Sequence, residues 1–335
     1  MRRTCRVPGG IVRRTYLIAG AVALLIFGKF AVQPSKAAVA GGAASPTASS
    51  GCDRDCLNGF VDQYLAALVA HDPSKLPHTA TAKFSENNVM LELGDGLWAT
   101  ADGVGSYKIY IDDPETGEVG FYGVVSEDGH PGILGARLKL VNHKVTEIET
   151  AMARRDSANS NFPNPEGLKE KPVFYEDVPA SERLPREKLV SIANSYFDTI
   201  QQNTGKVYAP FADDCMRVEN GVVTTGNPDG TGISKQGCAA QLSTGLLKFV
   251  TRCRDRRFVV VDQQKGLVLV NVFFDHAGTV TNFKLLDGTE HKVGPPFDRP
   301  FSFVMFELFK VKNAKIQQIE AVIQTVPYHM PTPWK

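Results

Sequence analysis

The apolar positions of this chain follow the same succession twice. Leu57, Phe60, Val61, Tyr64, Leu65 and Leu68 recur at steps of three and four, which predicts an amphipathic helix with a wide buried face. His71-Asp72-Pro73 stops it. Beyond a loop come short runs rich in β-formers and separated by glycines: Val89 to Leu93, Gly105 to Ile111, Glu118 to Val125, Ile133 to Val141 and Val145 to Met152. The order then restarts. Leu189, Ile192, Ala193, Tyr196, Phe197 and Ile200 predict a second helix, followed by strands around Arg217 to Thr224, Arg257 to Val261, Leu267 to Phe274, Phe301 to Lys312 and Ile316 to Gln324. The fold class is α+β, with one supersecondary plan used twice.

Sliding Leu138 to Met152 onto Phe309 to Ile323 without a gap matches Lys139 with Lys310, Asn142 with Asn313, Lys144 with Lys315, Ile148 with Ile319 and Glu149 with Glu320. Asn142-His143-Lys144 and Asn313-Ala314-Lys315 read as hairpin turns. Near the start of each copy Tyr64 matches Tyr196, and Glu86-Asn87 falls on Glu219-Asn220. The chain divides into a signal segment (1–40), a small polar tether (41–54), domain 1 (55–156), a linker (157–186), domain 2 (187–327) and a tail (328–335). The linker carries Pro163, Pro165, Pro172, Pro179 and Pro185 and is expected to wrap on the surface.

A long amphipathic helix, a polar turn and a terminal hairpin of long strands resemble the nuclear-transport-factor-2-like (NTF2-like, SnoaL-like) fold, in which a curved antiparallel sheet wraps helices into a cone with a pocket. The resemblance covers roughly 55–155 and 187–327 and rests on element order. The words Tyr64 to Ser74, Gly94-Asp95-Gly96-Leu97-Trp98 and Tyr328 to Trp334 look like those of a tandem family of secreted bacterial and fungal proteins whose function is undescribed. The resemblance implies either cofactor-free acid–base enzymes or plain binding proteins, so fold alone does not choose between them.

Seven basic side chains and no acidic one occupy residues 1–40, around the apolar run Tyr16 to Gly28 and ahead of Ala38-Val39-Ala40. That is a signal-peptide layout, with a run of 13 residues that is short for a membrane-spanning helix. Cleavage and an uncleaved anchor both stay open. Arg13-Arg14 resembles a twin-arginine signal, although Val12 and Ile18 depart from its flanks and leave the general secretory route open. Without residues 1–40, 30 basic groups face 36 acidic ones, a net −6 that argues against nucleic acid. The expected location is exported, periplasmic or extracellular. There cysteines tend to pair, and Cys215 with Cys238 is the preferred bridge across a Gly-rich loop. Cys52 with Cys56 is a possible second bridge, strained if both lie in a helix, metal ligation is the weaker alternative, and at least one cysteine is left over or intermolecular.

The Glu-Asn pair common to both copies carries the first chemical suggestion. A carboxylate in an apolar pocket has its pKa raised and serves as general acid or base, and an adjacent amide donates to a developing oxyanion. Glu86 and Asn87, like Glu219 and Asn220, would point to opposite faces of a regular strand, so the competing reading is a solvated turn. His276 ends an apolar strand beside Asp275, which would orient its imidazole; Asp275 to Gly278 also read as a turn. His329 sits in a tail that would fold over the pocket mouth, and His78 in the loop that borders the cavity of the resembled fold; both also read as surface residues. Tyr196 either packs or orients substrate. Arg252, Arg254, Arg256 and Arg257 read as a solvated face before an anion clamp.

No dinucleotide fingerprint, phosphate-binding loop, nucleophile elbow or zincin motif is present in the sequence. The expected function is an exported acid–base enzyme, a lyase, isomerase or hydrolase, acting on a small organic molecule without cofactor or metal. Glu219, His276 and His329 would move protons, with Asn220, Tyr196, His78, Glu86 and Asn87 around the substrate. The alternative is a secreted module that binds a ligand or protein without turnover. Contact with a membrane is expected only through an uncleaved signal segment, and the expected protein partner is a second copy docked through the sheet faces. The second copy is the richer in candidate groups.

Overall fold

In the computed structural model, which describes residues 51–155 and 164–334, each copy lays a helix in the hollow of a curved six-stranded sheet. The signal segment, residues 41–50 of the tether, linker residues 157–163 and Lys335 lie outside the described residues. What is described falls in one compact unit.

The first helix, α1 (Arg54–Val69), starts at Asp53, whose carboxylate accepts from the Cys56 N–H at 3.0 Å. It ends where His71 turns left-handed at φ 51° and the Asp72 N–H donates to Ala67 O, a stop more often built on glycine. The Cys52–Cys56 disulfide closes its first turn. There follow β1 (His78–Glu86), β2 (Val89–Leu91), the short α2 (Leu97–Thr100), β3 (Ala101–Asp113), β4 (Glu118–Glu127), β5 (His130–Val141) and β6 (Lys144–Ala153), in sheet order β2-β1-β6-β5-β4-β3. His78 to Glu86 carried no strand signal because its first half is largely polar and exposed. Parallel pairing with β6 makes it a strand, and tertiary context overrides a weak local preference.

The second copy repeats this with α3 (Arg186–Gln202), β7 (Phe211–Glu219), β8 (Val222–Thr225), α4 (Cys238–Ser243), β9 (Arg252–Asp262), β10 (Leu267–His276), a small hairpin β11 (Asn282–Lys284) and β12 (Glu290–Lys292), β13 (Phe301–Lys312) and β14 (Lys315–Val326). Its sheet order, β8-β7-β14-β13-β10-β9, is that of the first copy. The Cys215–Cys238 disulfide pins α4 to β7, and Cys253 is the free cysteine among the described residues. β10 is apolar at nearly every position because it is buried on both faces: Val268, Val270, Val272 and Phe274 meet α3, while Leu267 and Leu269 meet the other sheet.

The outer faces of the two sheets pack on each other. β3 lies against β9 and β6 against β14, and β5 meets β14 as β13 meets β6. This reciprocity is the signature of an isologous interface, here closed within one chain. Tyr107, Tyr122 and Ile133 interleave with Leu269, Phe306 and Val322. Polar groups caught in the seam are paired: Glu320 accepts from Tyr107 Oη at 2.7 Å and Lys171 Nζ at 2.5 Å, and Arg54 grips both oxygens of Asp262 at 2.8 and 2.7 Å. The outer face of each sheet is thus occupied by its sister within one chain. The linker does not simply wrap the outside, since Leu168, Phe174 and Val178 are buried, the first two within this seam.

The tail leaves the second copy and returns to the first. Trp334 is buried there, its Nε1 donating to Ser85 Oγ at 2.8 Å with the Arg137 guanidinium 5.3 Å from its ring centre, and Asn88 Nδ2 donates to Pro331 O at 2.8 Å. Trp334→Ala is expected to cost about 2 kcal/mol from the lost burial. Urea unfolding checks this, and a midpoint equal to that of the unaltered protein would show that the tail contributes nothing.

Candidate functional site

A cavity of about 110 Å³ lies between α3 and the hollow face of the second sheet. Glu219 of β7 stands beside Ala321 of β14, and Ala321 beside Glu307 of β13. The two carboxyl groups thus share one cross-strand row, with backbones two strand spacings or roughly 10 Å apart. The middle residue of that row is Ala321, which brings only a methyl group. Arg217, two residues before Glu219, shares its face. The guanidinium is held on three sides: Nε lies 3.3 Å from Glu219 Oε1, Nη1 donates to Tyr196 Oη at 3.3 Å and Nη2 to Gln241 Oε1 at 2.8 Å. Gln241 is fixed in turn, accepting from Thr225 Oγ1 at 2.7 Å and donating to Thr224 O at 2.7 Å and Ile233 O at 3.0 Å. The disulfide from Cys238, on the same short helix as Gln241, keeps that helix against β7.

Electrostatics separates the groups. Glu307 is 2% exposed and its Oε2 has no hydrogen-bond partner. Burial, reinforced by the charge of Glu219 and opposed by Tyr196 and Arg217, pushes its pKa up to about 8. At neutral pH it is a carboxylic acid carrying a proton. Burial holds the Tyr196 phenol well above its ordinary range, and Arg217 is held above its own by Tyr196 and Glu219 against the effect of burial. His276 is 1% exposed, its Nδ1 is unpartnered, and burial lowers its pKa to about 4 despite Asp275 next to it. Its neutral ring stacks on Phe301 at 4.4 Å, with Phe303 at 4.9 Å and Phe297 at 5.3 Å. His276 pairs with Phe301, six residues along β13 from Glu307, a span of roughly 20 Å on an ideal strand. The imidazole thus stands at the opposite end of the cavity from the acid.

Of the residues singled out from the sequence, the cavity gathers Glu219, Tyr196 and His276. The others lie elsewhere. Asn220 has φ 47° at a tight turn with Gly221, and its side chain bridges Ile323, donating to its O at 3.0 Å and accepting from its N at 2.8 Å. Asn87, at φ 49°, does the same against Met152. The pair recurs because both hairpins need this turn. Glu86 accepts from the Leu97 N–H at 2.7 Å and pairs with Arg154 at 2.6 Å. The ring Nδ1 of His78 bonds Leu76 O at 2.8 Å at the start of β1.

Strand alternation separates Asp275 from its neighbour His276, so the carboxylate does not orient that imidazole. On the other face it accepts from Arg254 Nε at 2.9 Å and Ser302 Oγ at 2.6 Å. His329 lies there too, with Nε2 3.6 Å from Asp275, and not over the cavity mouth. Of the arginine run only Arg252 is exposed as a solvated face requires: Arg254 is buried on Asp275, Arg256 bonds Asp198 at 2.5 Å, and Arg257 reaches Glu149 of the first copy.

Glu307 and Arg217 were not singled out from the sequence, yet a signal was there. Register equates the rows Glu86–Thr150–Ala136 and Glu219–Ala321–Glu307, so Ala136 stands where Glu307 does, and Phe84 where Arg217 does. A charge on an inward position that is apolar in the sister copy marks a site. In the first copy Trp98, fully buried and edge-on to Tyr64 at 5.4 Å, fills the core instead.

A family model described as a domain of unknown function (DUF8021) matches residues 182–323, the second copy. No curated protein matches the chain. Among solved structures, a de novo designed protein with a curved β-sheet is similar at 15% identity and TM-score 0.25, over 42% of this chain and 88% of that one. A Bacillus subtilis protein provisionally titled an isomerase follows at 8% identity and TM-score 0.27, over 41% and 87%. AclR, a candidate hydroxylase from Streptomyces galilaeus, follows at 10% and 0.27, over 42% and 91%. Likenesses this loose say nothing of chemistry.

Proposed function

We propose that the second copy is an exported acid–base enzyme, a lyase, isomerase or hydrolase that works without a cofactor on a small organic molecule held over Ala321. The observation that carries this reading is the pair of carboxyl groups in one row with different tasks: Glu307, a buried acid with a proton to give, and Glu219, paired with Arg217 and 30% exposed at its side chain. Glu219 takes a proton from one side of the substrate and Glu307 delivers one on the other. Tyr196 and Arg217 fix the acid's end, and the neutral His276 lines the far end of the cavity. A cavity of about 110 Å³ is below the roughly 300–1,000 Å³ of drug-sized sites, so the substrate is small. Two disulfides fit an oxidising compartment, and among the described residues no helix is long and apolar enough to cross a membrane.

Mass spectrometry of compounds that copurify with the protein would supply candidate substrates for turnover assays. Glu219→Gln and Glu307→Gln are each expected to lower turnover by about 10²- to 10⁴-fold. The rate of the unaltered enzyme is expected to fall as the pH rises past about 8, where Glu307 loses its proton. Undiminished turnover in both variants would sink the enzyme reading and leave a binding module.

A further inference from the structure

The walls of this cavity are one positive charge short. Two carboxyl groups, Glu219 and Glu307, face it with a single cation, and Arg217 is already held by Glu219, Tyr196 and Gln241. The remaining lining is apolar and largely aromatic, with Phe249, Phe274, Phe297 and Phe303. An ionised carboxylate buried here without a counter-ion would be costly, so a proton on Glu307 holds the place of the missing charge. The unpartnered Oε2 of Glu307, on a side chain only 2% exposed, shows that no group among the described residues fills that place.

We propose that the ligand of this cavity is a small organic cation, an amine or quaternary ammonium seated between Glu219 and Glu307 against the phenylalanine faces. Aromatic faces attract such cations, most strongly where water is excluded. An anionic ligand would meet two carboxyl groups and an arginine with each of its three nitrogens already bonded. A neutral amine takes the proton from the Glu307 carboxyl onto its nitrogen, leaving an ammonium–carboxylate pair. A quaternary ammonium has no site for that proton, which leaves for solvent. The titratable groups that act on Glu307 are Arg217 and Glu219 on β7 and Tyr196 on α3, while the Cys253 thiol on β9 feels its charge and His276 on β10 lies at the far end of the cavity. Burial raises Tyr196 and Cys253, Arg217 is held high, and His276 is lowered to about 4, so Glu307 is the member pushed into the range between pH 6 and 9.

The inference rests on the reading of this cavity as the substrate site, and tetramethylammonium with its uncharged isostere tert-butanol tests it apart from turnover. By ligand-observed NMR and calorimetry on the full chain, tetramethylammonium is expected to bind at least tenfold more tightly than tert-butanol at pH 9. Its affinity is expected to rise close to tenfold from pH 6 to 7, about fivefold from 7 to 8 and then level, with close to one proton released per cation bound at pH 6–7. Glu307→Gln is expected to weaken binding at pH 9 at least tenfold and remove the pH dependence. Equal binding of tert-butanol, no saturable binding of tetramethylammonium at pH 9, or affinity that ignores pH would each overturn the proposal. Cation binding without any Glu307-dependent turnover would uphold it and reject the enzyme reading. Glu307-dependent turnover of an uncharged substrate, with no cation binding, would do the reverse.

Discussion

Glu307→Gln is expected to make the protein more stable by about 3 kcal/mol at pH 7, even as it removes the acid. The folded protein holds this carboxyl at a pKa of about 8 against 4.5 in an open chain, so ionisation favours unfolding. Glu307 is protonated in both states below pH 4.5, and the stability its neutral form gives is lost as the pH climbs through 4.5 towards 8. His276 runs the other way. Its pKa falls from 6.5 to about 4 on folding, so its contribution is lost as the pH drops through 6.5 towards 4. Between 4.5 and 6.5 the folded and unfolded chains each bind one proton at this pair, and the two slopes cancel. From 6.5 to 8 only Glu307 is left, and it lowers stability by about 1.4 kcal/mol per pH unit. Urea unfolding at pH 6.5 and pH 8 should show that decline steeper in the unaltered protein than in Glu307→Gln. Parallel curves would mean that Glu307 is ionised in the folded state. A residue kept at such a cost fits a working site more readily than a scaffold.

Arg217→Met is expected to cost about 3–5 kcal/mol, because it strips the charge partner from Glu219 and the donors from Tyr196 and Gln241 while leaving all three in place. The double variant Arg217→Met with Glu219→Gln is expected to recover a substantial part of that loss, since it removes both charges of the pair. Chemical denaturation of the single and double variants measures the difference. If Glu219→Gln added its full cost to that of Arg217→Met, the two side chains would not be interacting and the charge balance of the cavity would need another explanation.

The doubling, the helices and the long hairpins could be read from the chain because each carries its own local signal. Helix spacing marks α1 and α3, and turn residues mark Asn142-His143 and Asn313-Ala314. The Cys215–Cys238 bridge spans the Gly-rich loop as its position suggested. β1 could not be read, because its strand character comes from a parallel partner sixty residues and more away. Sequence proximity misled at Asp275 and His276, which are neighbours in the chain and strangers in space. It misled again at Asn87 and Asn220, whose recurrence reports a shared turn and no shared chemistry.

By itself the sequence determined that one α+β plan is used twice and that Glu219, Tyr196 and His276 belong among the candidates, since alternation and repeat register are local properties. Only the tertiary structure decided which groups meet. Facing strands bring Glu307 into the row of Glu219, a short disulfide-pinned helix sets Gln241 on Arg217, and the two sheet faces bury each other within one chain. Burial then decides protonation. A glutamate inside a run of phenylalanines is an ordinary carboxylate in an open chain, and it becomes an acid poised near neutrality only when the folded walls exclude the water that would ionise it.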